Sequence, residues 1–314
     1  MFTLMLHAHS RIAMPPETRF LMRVYDNQAS FGDLTVRANR RKLALAIVRG
    51  GKFMDLELDR AETRRAIVAG PPTIGSAIGT VFRSYAARFG KERWGDKRPI
   101  YFQKMEAIRM MFPDAQFIHL IRDGRDCVAS LKRVPWWRKG SIEAIALWTQ
   151  AIDYGRRAAR RLPADSFYEL QYEHLVADPR GELQKLCTFL GEEFEEGMLQ
   201  PHRVAAQAVP ERKSWHENTR GAVNSKSVGG YTEVLEPWEI RLMNFVAGRR
   251  LRRLGYDVPP RSRPPSPVRV ARYVAASGAR RLRGRLATLR GRRVARAAGP
   301  MADRGSASAR AGAG

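Results

Sequence analysis

A five-residue apolar run, FIHLI at 117–121, is followed directly by a polar turn and a new helical pattern, and this arrangement constrains the fold strongly. Such a run is typical of a strand that is buried on both faces. A second short run, FYELQY at 167–172, is separated from the first by the amphipathic stretch 144–162. Strands that alternate with helices form parallel sheets. We therefore predict an α/β fold of three layers, with a central parallel sheet and helices on both faces.

Helical patterns occupy most of the remaining chain. Apolar residues recur at intervals of three and four residues, and Gly or Pro stands where each pattern ends. The residues 1–9 also read as a helix. Further helices are predicted at 33–48, 59–68, 74–89, 102–112 and 179–190, and another one begins at Pro237.

The net charge of +25 is unevenly distributed along the 314 residues. Residues 259–314 begin with the Pro-rich stretch PPRSRPPSP and carry fourteen Arg but one acidic residue, Asp303. We therefore predict a domain at 1–258 and a basic tail at 259–314 that is disordered or partly helical and dispensable for the fold. Leu282, Leu286 and Leu289 could form a short basic amphipathic helix that contacts an anionic membrane surface or nucleic acid, and a solvated tail is the alternative.

Cysteine and histidine usage bears on the compartment and on metals. Cys127 and Cys187 each stand among apolar residues, which favours buried free thiols in a reducing compartment. No apolar run is long enough to span a bilayer, and the first residues lack the pattern of a signal peptide. We expect a cytoplasmic protein. The histidines lack the spacing of a metal site, so no metal is expected.

The segment FPDAQFIHLIRDGRDCVASLKR, 112–133, carries the clearest signal of a binding site. The strand delivers Arg122 to the carboxyl edge of the sheet, where open α/β sheets bind ligands. Gly124 allows a tight turn into a helix, and Ser130 follows Arg122 by eight residues, about two helical turns. Arg122, the helix N-terminus and Ser130 could converge on one phosphate. An ordinary strand–helix turn with a solvated Arg is the alternative.

The same segment resembles the 3′-phosphate-binding segment of sulfotransferases that use 3′-phosphoadenosine 5′-phosphosulfate (PAPS), and four further segments resemble that family in the same order. The Glu-Thr-Arg element is similar to that of tyrosylprotein-type sulfotransferases. Residues 1–256 are covered by the resemblance, which implies a P-loop-like sulfotransferase fold. The four segments are PPETRFL (15–21), GDKRP (95–99), YEHLVADPRGELQKLCTFLG (172–191) and SVGGY (227–231).

The resemblance implies a nucleotide site without a metal, in which PAPS is the co-substrate. Arg122 and Ser130 would hold the 3′-phosphate, and Tyr172 would pack near the adenine. The loop that closes over the nucleotide would contain three further residues, namely Lys226, Ser227 and Gly229.

The resemblance also implies catalytic roles for three residues. Glu17 would be the general base, Lys97 would face the bridging oxygen of the phosphosulfate, and Arg19 would orient the acceptor or the sulfuryl group. Two alternatives stay open: Glu17 and Arg19 could be a helix-start carboxylate and a surface Arg, and Lys97 could be a solvated side chain.

The family's first strand and its Pro-Arg-Ser-Gly-Thr-Thr loop, which cradles the 5′-phosphosulfate, have no counterpart in this sequence. Residues 1–9 instead resemble the helix that follows this loop. The resemblance thus implies a domain that is truncated at its N-terminus. Either the start codon is assigned too far downstream, or this is an inactive copy; loss of a central strand would leave backbone groups unpaired.

The function expected from these observations is transfer of a sulfuryl group from PAPS to a hydroxyl acceptor, namely a peptide tyrosine, a carbohydrate or a small metabolite. An inactive truncated homologue is one alternative. A basic protein that binds nucleic acid or an anionic surface is another, although the basic residues before 259 are dispersed. A P-loop kinase is disfavoured, because no GxxxxGK[ST] occurs. The sequence gives no oligomeric state.

Overall fold

The computed structural model describes residues 1–204, 228–259 and 263–297. These residues divide into two compact units. The first unit contains the described residues of Met1–Ala115, Glu192–Ala222 and Ala287–Gly314, and the second contains those of Gln116–Gly191 and Val223–Leu286.

The first unit is mostly helical, with one short pair of strands. Strand β1, Ile12–Ala13, pairs in parallel with β2, Arg93–Trp94. Its helices are α1 Phe2–His7, α2 Phe20–Asp26, α3 Arg37–Val48, α4 Arg60–Ala69, α5 Ile74–Ala87 and α6 Met105–Met111.

Helix α5 supplies much of the core of the first unit. Thr73 caps this helix by accepting a hydrogen bond from the backbone N–H of Ser76, which satisfies one of its free donors. The ring of Phe82 is fully buried and stacks on Phe20 at 5.2 Å and on Trp94 at 4.6 Å between centroids. These contacts fix β2 and the start of α2 against α5.

The second unit is built on the predicted strands. Strand β3, Phe117–Ile121, pairs in parallel with β4, Phe167–Gln171, so that Phe117 lies opposite Phe167 and Ile121 opposite Gln171. The helices are α7 Gly124–Arg133, α8 Gly140–Arg161, α9 Tyr172–Ala177, α10 Pro179–Leu190, α11 Pro237–Arg253 and α12 Pro267–Ala297, the last of which ends beyond this unit. Its core is formed by Ile121, Val128, Ile145, Trp148, Leu242 and Met243, among others.

The structure confirms the positions of the two strands and of most predicted helices to within a few residues. Strand β3 is less buried than predicted, because only Ile121 of its five residues is buried and Leu120 is exposed. Helix α10 covers the predicted range and ends at Gly191, whose φ of +72° is the left-handed conformation of a helix C-cap. Pro237 is the first residue of α11, which a capping box between Glu236 and Glu239 closes. The sheet differs in extent, because the described strands form two separate two-stranded parallel sheets.

The basic tail, predicted to be disordered or partly helical, contains one long helix in the part that the structure describes. Helix α12 begins at Pro267, nine residues after the predicted boundary at 258. Tyr273 is buried in the core of the second unit, and its hydroxyl lies 3.1 Å from Thr149 Oγ1. Ala and Arg are strong helix formers, and the tyrosine gives the helix an apolar anchor. This part of the tail is therefore packed against α8.

Two further findings concern expectations from composition. Cys187 is buried and Cys127 is half-buried, and burial raises the pKa of the Cys127 thiol to about 12. In the described part of the chain, no helix combines the length and apolar character needed to cross a membrane.

Candidate functional site

Arg122 and Tyr172 meet at the carboxyl edge of the β3–β4 sheet. Because the strands are parallel and Ile121 lies opposite Gln171, the residue that follows each strand emerges at the same edge. The guanidinium carbon of Arg122 lies 4.9 Å from the centroid of the Tyr172 ring. This cation–π contact orients the half-buried arginine at the edge where ligands of such sheets bind.

The backbone around Arg122 is held on two sides. The indole N–H of Trp148, on α8, donates to the Arg122 carbonyl at 3.0 Å. The next backbone N–H, that of Asp123, donates to Glu173 Oε1 at 2.9 Å, and the hydroxyl of Tyr256 donates to the other oxygen of Glu173 at 2.9 Å. Burial, with Glu173 nearby, raises the pKa of Tyr256, so this phenol keeps its proton. The position of Arg122 is thus fixed through its neighbours.

Gly124 is required by packing. A Cβ atom at this position would lie 2.1 Å from Met243 Cε and 2.6 Å from the ring of Trp148. Its φ is not among the left-handed ones, so the turn itself does not demand glycine. Glycine is therefore needed here because α11 and α8 approach the start of α7 closely, and not because of the tight turn that the sequence predicted.

Asp126 joins the start of α7 to the loop that contains Gly229. Its buried carboxylate accepts hydrogen bonds from the backbone N–H of Gly229 at 2.9 Å and of Tyr231 at 3.0 Å. The same carboxylate lies 3.7 Å from Arg122 Nη2. Gly229 has a φ of +75°, which favours glycine. Gly229, which was predicted to lie in the closing loop, is thus linked to Arg122 through the Asp126 carboxylate.

Of the other residues predicted to bind the nucleotide, the structure describes Ser130 but not Lys226 and Ser227. Ser130 lies in α7 with an exposed side chain, and its place beside the same phosphate as Arg122 stays a prediction. Lys226 and Ser227 lie outside the described residues. Sequence reasoning missed Asp126 and Trp148 as neighbours of the site. The spacing of Asp126, four residues after Arg122, is the signal that would have placed it one helical turn away.

In the first unit, the side chains of Glu17 and Lys97, to which the resemblance gave separate catalytic roles, lie close together. Glu17 follows β1 and Lys97 follows β2, and the two strands end at the same edge because they are parallel. Lys97 Nζ lies 3.7 Å from one carboxylate oxygen of Glu17, and Arg98 Nε lies 3.6 Å from the other. Arg19, at the start of α2, is exposed and is not among these ion-pair partners. We name these side chains the Glu17 cluster: Glu17, Asp96, Lys97, Arg98 and Tyr101.

Asp96 is the polar centre of the Glu17 cluster. Its carboxylate accepts hydrogen bonds from the hydroxyl of Tyr101, from the backbone N–H of Lys97 at 3.0 Å and, at 3.5 Å, from Thr18. Burial raises the pKa of Asp96 to about 6 despite these donors. Sequence reasoning quoted the segment GDKRP but missed Asp96 and Arg98, whose adjacency to Lys97 was the available signal.

Across the described residues, no group of three or more His, Cys, Asp or Glu side chains is arranged to hold a metal ion.

Comparison with known proteins identifies the family and the fold of the chain. The model of the Sulfotransferase family matches residues 1–196, which is more than half of the chain. The chain belongs to this family. Its fold is similar to that of the sulfotransferase domain from the olefin synthase of Synechococcus PCC 7002, with a TM-score of 0.57 and 23% identity, covering 82% of this chain and 90% of that one.

Two curated relatives differ in the acceptor that their names state. A putative protein-tyrosine sulfotransferase of Caenorhabditis briggsae is 23% identical over 190 residues, 58% of this chain and 67% of that protein. An omega-hydroxy-beta-dihydromenaquinone-9 sulfotransferase of Mycobacterium bovis is 27% identical over 107 residues, 30% of this chain and 28% of that protein. The chain spans about two thirds of the length of the first curated relatives that it matches.

Proposed function

We propose that this protein transfers a sulfuryl group from PAPS to a hydroxyl acceptor. One observation carries the proposal most directly: Arg122 at the carboxyl edge of β3–β4, stacked on Tyr172 and next to the Asp126 tether of the Gly229 loop. A cationic fork at the start of a helix suits a phosphate group, because the fork and the free N–H groups both favour negative charge.

The proposal assigns nucleotide binding to the second unit. Arg122 binds the 3′-phosphate with Ser130, and Tyr172 packs near the adenine. Lys226, Ser227 and Gly229 belong to the loop that closes over the nucleotide. The charge of Asp126 is compensated by two backbone donors, so its nearness to Arg122 still leaves the guanidinium able to attract an anion.

The proposal assigns the chemistry to the Glu17 cluster. The acceptor oxygen forms a bond to sulfur while the bond between sulfur and the bridging oxygen breaks, and Glu17 takes the acceptor proton. Lys97 faces the leaving oxygen, which gains negative charge only as the bond breaks, so this cation favours the transition state. The Nε atom of Arg98 lies 3.6 Å from a carboxylate oxygen of Glu17, and this contact holds the carboxylate in place. Arg19 orients the acceptor or the sulfuryl group.

A peptide tyrosine is the first acceptor to test, because the Glu-Thr-Arg element at 17–19 resembles the tyrosylprotein type. The relative named for a menaquinone derivative supports a second test with a lipid alcohol. An inactive homologue that binds the nucleotide without transfer is the alternative from within the family.

Calorimetry with adenosine 3′,5′-bisphosphate tests nucleotide binding. Arg122→Ala should weaken binding about ten- to hundredfold, since a hydrogen bond to a charged group contributes about 1.5–3 kcal/mol. Its effect on adenosine 5′-phosphate, which lacks the 3′-phosphate, should be small. Arg133→Ala, an exposed arginine in the last turn of the same helix, is the matched control. Unchanged affinity in a folded Arg122→Ala protein would remove the 3′-phosphate assignment.

Transfer of radiolabelled sulfate from PAPS to a tyrosine peptide tests the chemistry. Glu17→Gln keeps the size of the side chain but cannot accept a proton, so kcat should fall about 10²-fold or more while nucleotide affinity stays unchanged. Wild-type turnover in this variant would show that another residue is the base. Nucleotide binding without transfer in the wild type would favour the inactive homologue.

A further inference from the structure

Helix α12 presents a continuous apolar face to solvent. Residues spaced by three, four or seven positions lie on one side of a helix, and six such residues here are apolar and exposed. The three leucines among them are 59%, 47% and 57% exposed in chain order. We call this face the apolar stripe, formed by Val268, Ala271, Ala275, Leu282, Leu286 and Leu289.

The opposite face of α12 is occupied, which prevents the helix from turning its leucines inward. Tyr273, Ser277 and Gly284 are buried along this face. Arg280 Nε donates to Gln150 Oε1 at 3.1 Å, and the guanidinium lies 3.8 Å from Glu143. A Cβ atom at Gly284 would lie 3.2 Å from the hydroxyl of Tyr154, so the backbone of α12 is close to α8 there. The apolar stripe therefore stays exposed while α12 is docked.

Arginines border the apolar stripe on both sides. At 100° per residue, Arg281 and Arg285 fall on one border and Arg272 and Arg283 on the other, and all four are exposed. The sequence of α12, residues 267–297, contains ten Arg and neither Asp nor Glu. An exposed apolar surface between two cationic rows needs a partner that offers both apolar matter and negative charge.

Three kinds of partner satisfy this requirement to different extents. A second copy of the helix would bury the leucines but would bring two arginine-rich surfaces together without any acidic residue to pair with them. Nucleic acid would neutralise the arginines through its phosphates but would leave the row of leucines without apolar contacts. An anionic bilayer supplies phosphates at the depth of the arginines and acyl chains at the depth of the leucines.

We propose that α12 lies in the surface of an anionic lipid bilayer, with the apolar stripe among the acyl chains and its bordering arginines at the headgroup phosphates. This attachment concerns the tail helix and is independent of the sulfuryl-transfer proposal. Each arginine adds to the attraction by anionic lipid, which salt screens, whereas the leucine contribution does not depend on salt.

Flotation of the full chain with phosphatidylcholine vesicles, with and without phosphatidylserine, tests the proposal. We expect binding to the anionic vesicles at physiological salt and at least about tenfold weaker binding to the neutral ones. The variant Leu282→Ser/Leu286→Ser/Leu289→Ser keeps every charge and should bind the anionic vesicles about tenfold more weakly or worse. Phe245→Ser, which alters a 54% exposed residue of α11, is the matched control and should bind like the wild type.

Three results would overturn the proposal. The first is unchanged vesicle binding in the triple serine variant, because the attraction would then be electrostatic alone. The second is duplex DNA that binds the wild type and the triple variant equally and displaces both from vesicles. The third is a wild-type protein that forms a dimer in sedimentation but does not bind vesicles, together with a triple variant that is monomeric. Equal melting temperatures of the wild type and the triple variant would show that the substitutions leave the fold intact.

Discussion

At the scale of single residues, Asp126 connects two parts of the nucleotide edge that the sequence separates by about a hundred positions. Its carboxylate lies 3.7 Å from Arg122 Nη2 and accepts hydrogen bonds from the backbone N–H groups of Gly229 and Tyr231. A hydrogen bond to a charged group contributes more than a neutral one, so the tether depends on the charge of Asp126. This residue is a positioning residue, since it acts through the loop and the arginine.

Asp126→Asn should release the Gly229 loop. An amide offers one acceptor oxygen where the carboxylate offers two, so one of the two backbone donors loses its partner. Hydrogen exchange at Gly229 and Tyr231 should accelerate about tenfold or more, because about 1.5–3 kcal/mol is at stake for a charged hydrogen bond. Exchange in α10 is the internal control. Equal protection of the Gly229 and Tyr231 amides in both proteins would contradict the tether.

Asp96 gives the protein a pH dependence of unusual sign. Its pKa is raised from 3.8 to about 6, so between these values the folded state binds more protons than the unfolded state. Stability therefore falls as pH rises through this window, and the cost of the ionised carboxylate is fully present above about pH 6. The buried His7, whose pKa is lowered to about 4, has the opposite slope, since its unfolded form gains a proton first.

Comparison of wild type with Asp96→Asn separates these two slopes. Urea unfolding between about pH 4 and about pH 7 should show a variant whose stability relative to wild type increases with pH, because only Asp96 has been removed. The His7 contribution is common to both proteins and cancels in the difference. A difference that is constant over this pH range would show that Asp96 titrates normally.

At the scale of elements, the sequence predicted the long helices with a regular apolar period and the helix ends that Gly or Pro marks. The contiguous apolar run at 117–121 and the aromatic-rich segment Phe167–Gln171 form strands, and α10 ends where Gly191 allows a left-handed cap. Strands β1 and β2 were not predicted, since two residues each carry no periodic signal. Composition left the tail as disordered or partly helical, because it cannot show that the backbone at Gly284 lies close to Tyr154.

Gly124→Ala tests the packing at the start of α7. The added methyl group would meet Met243 and the Trp148 ring well inside contact distance, and displacement of Trp148 would disturb its hydrogen bond to the Arg122 carbonyl. We expect the free energy of unfolding to fall by about 1–3 kcal/mol. This loss outweighs the smaller stabilisation that Ala gives because its helix propensity is higher than that of Gly. Gly51→Ala, where no atom lies within 4 Å, is the control in urea unfolding.

The same variant should also weaken binding of adenosine 3′,5′-bisphosphate, because the Arg122 backbone shifts with Trp148. A stable Gly124→Ala protein with unchanged nucleotide affinity would show that Met243 and Trp148 move aside without cost to the site.

At the scale of the whole chain, the residues of the candidate site were named from motif resemblance, and their local contacts required the structure. The pairing of Glu17 with Lys97 depends on β1 and β2 running in parallel, which residues eighty positions apart cannot reveal. The contact between Arg122 and Tyr172 was within reach of the sequence, because Arg122 directly follows the first predicted strand and Tyr172 ends the second. Charge and composition described the tail as a separate basic segment, whereas Tyr273 belongs to the core of the second unit and Arg280 contacts Gln150 and Glu143.

The anchoring of the tail can be measured with Tyr273→Ala in the full chain. This side chain is 9% exposed, belongs to the core of the second unit and reaches Thr149 with its hydroxyl. Its truncation should cost about 2–4 kcal/mol in the free energy of unfolding and lower Tm by several degrees. Val274→Ala alters the next residue, which is 60% exposed, and should change stability by less than about 0.5 kcal/mol. Tyr273→Phe separates ring packing from the hydroxyl contact and should retain most of the stability. If Tyr273→Ala melts like Val274→Ala, the tail is not anchored to the domain and the boundary predicted at 258 holds.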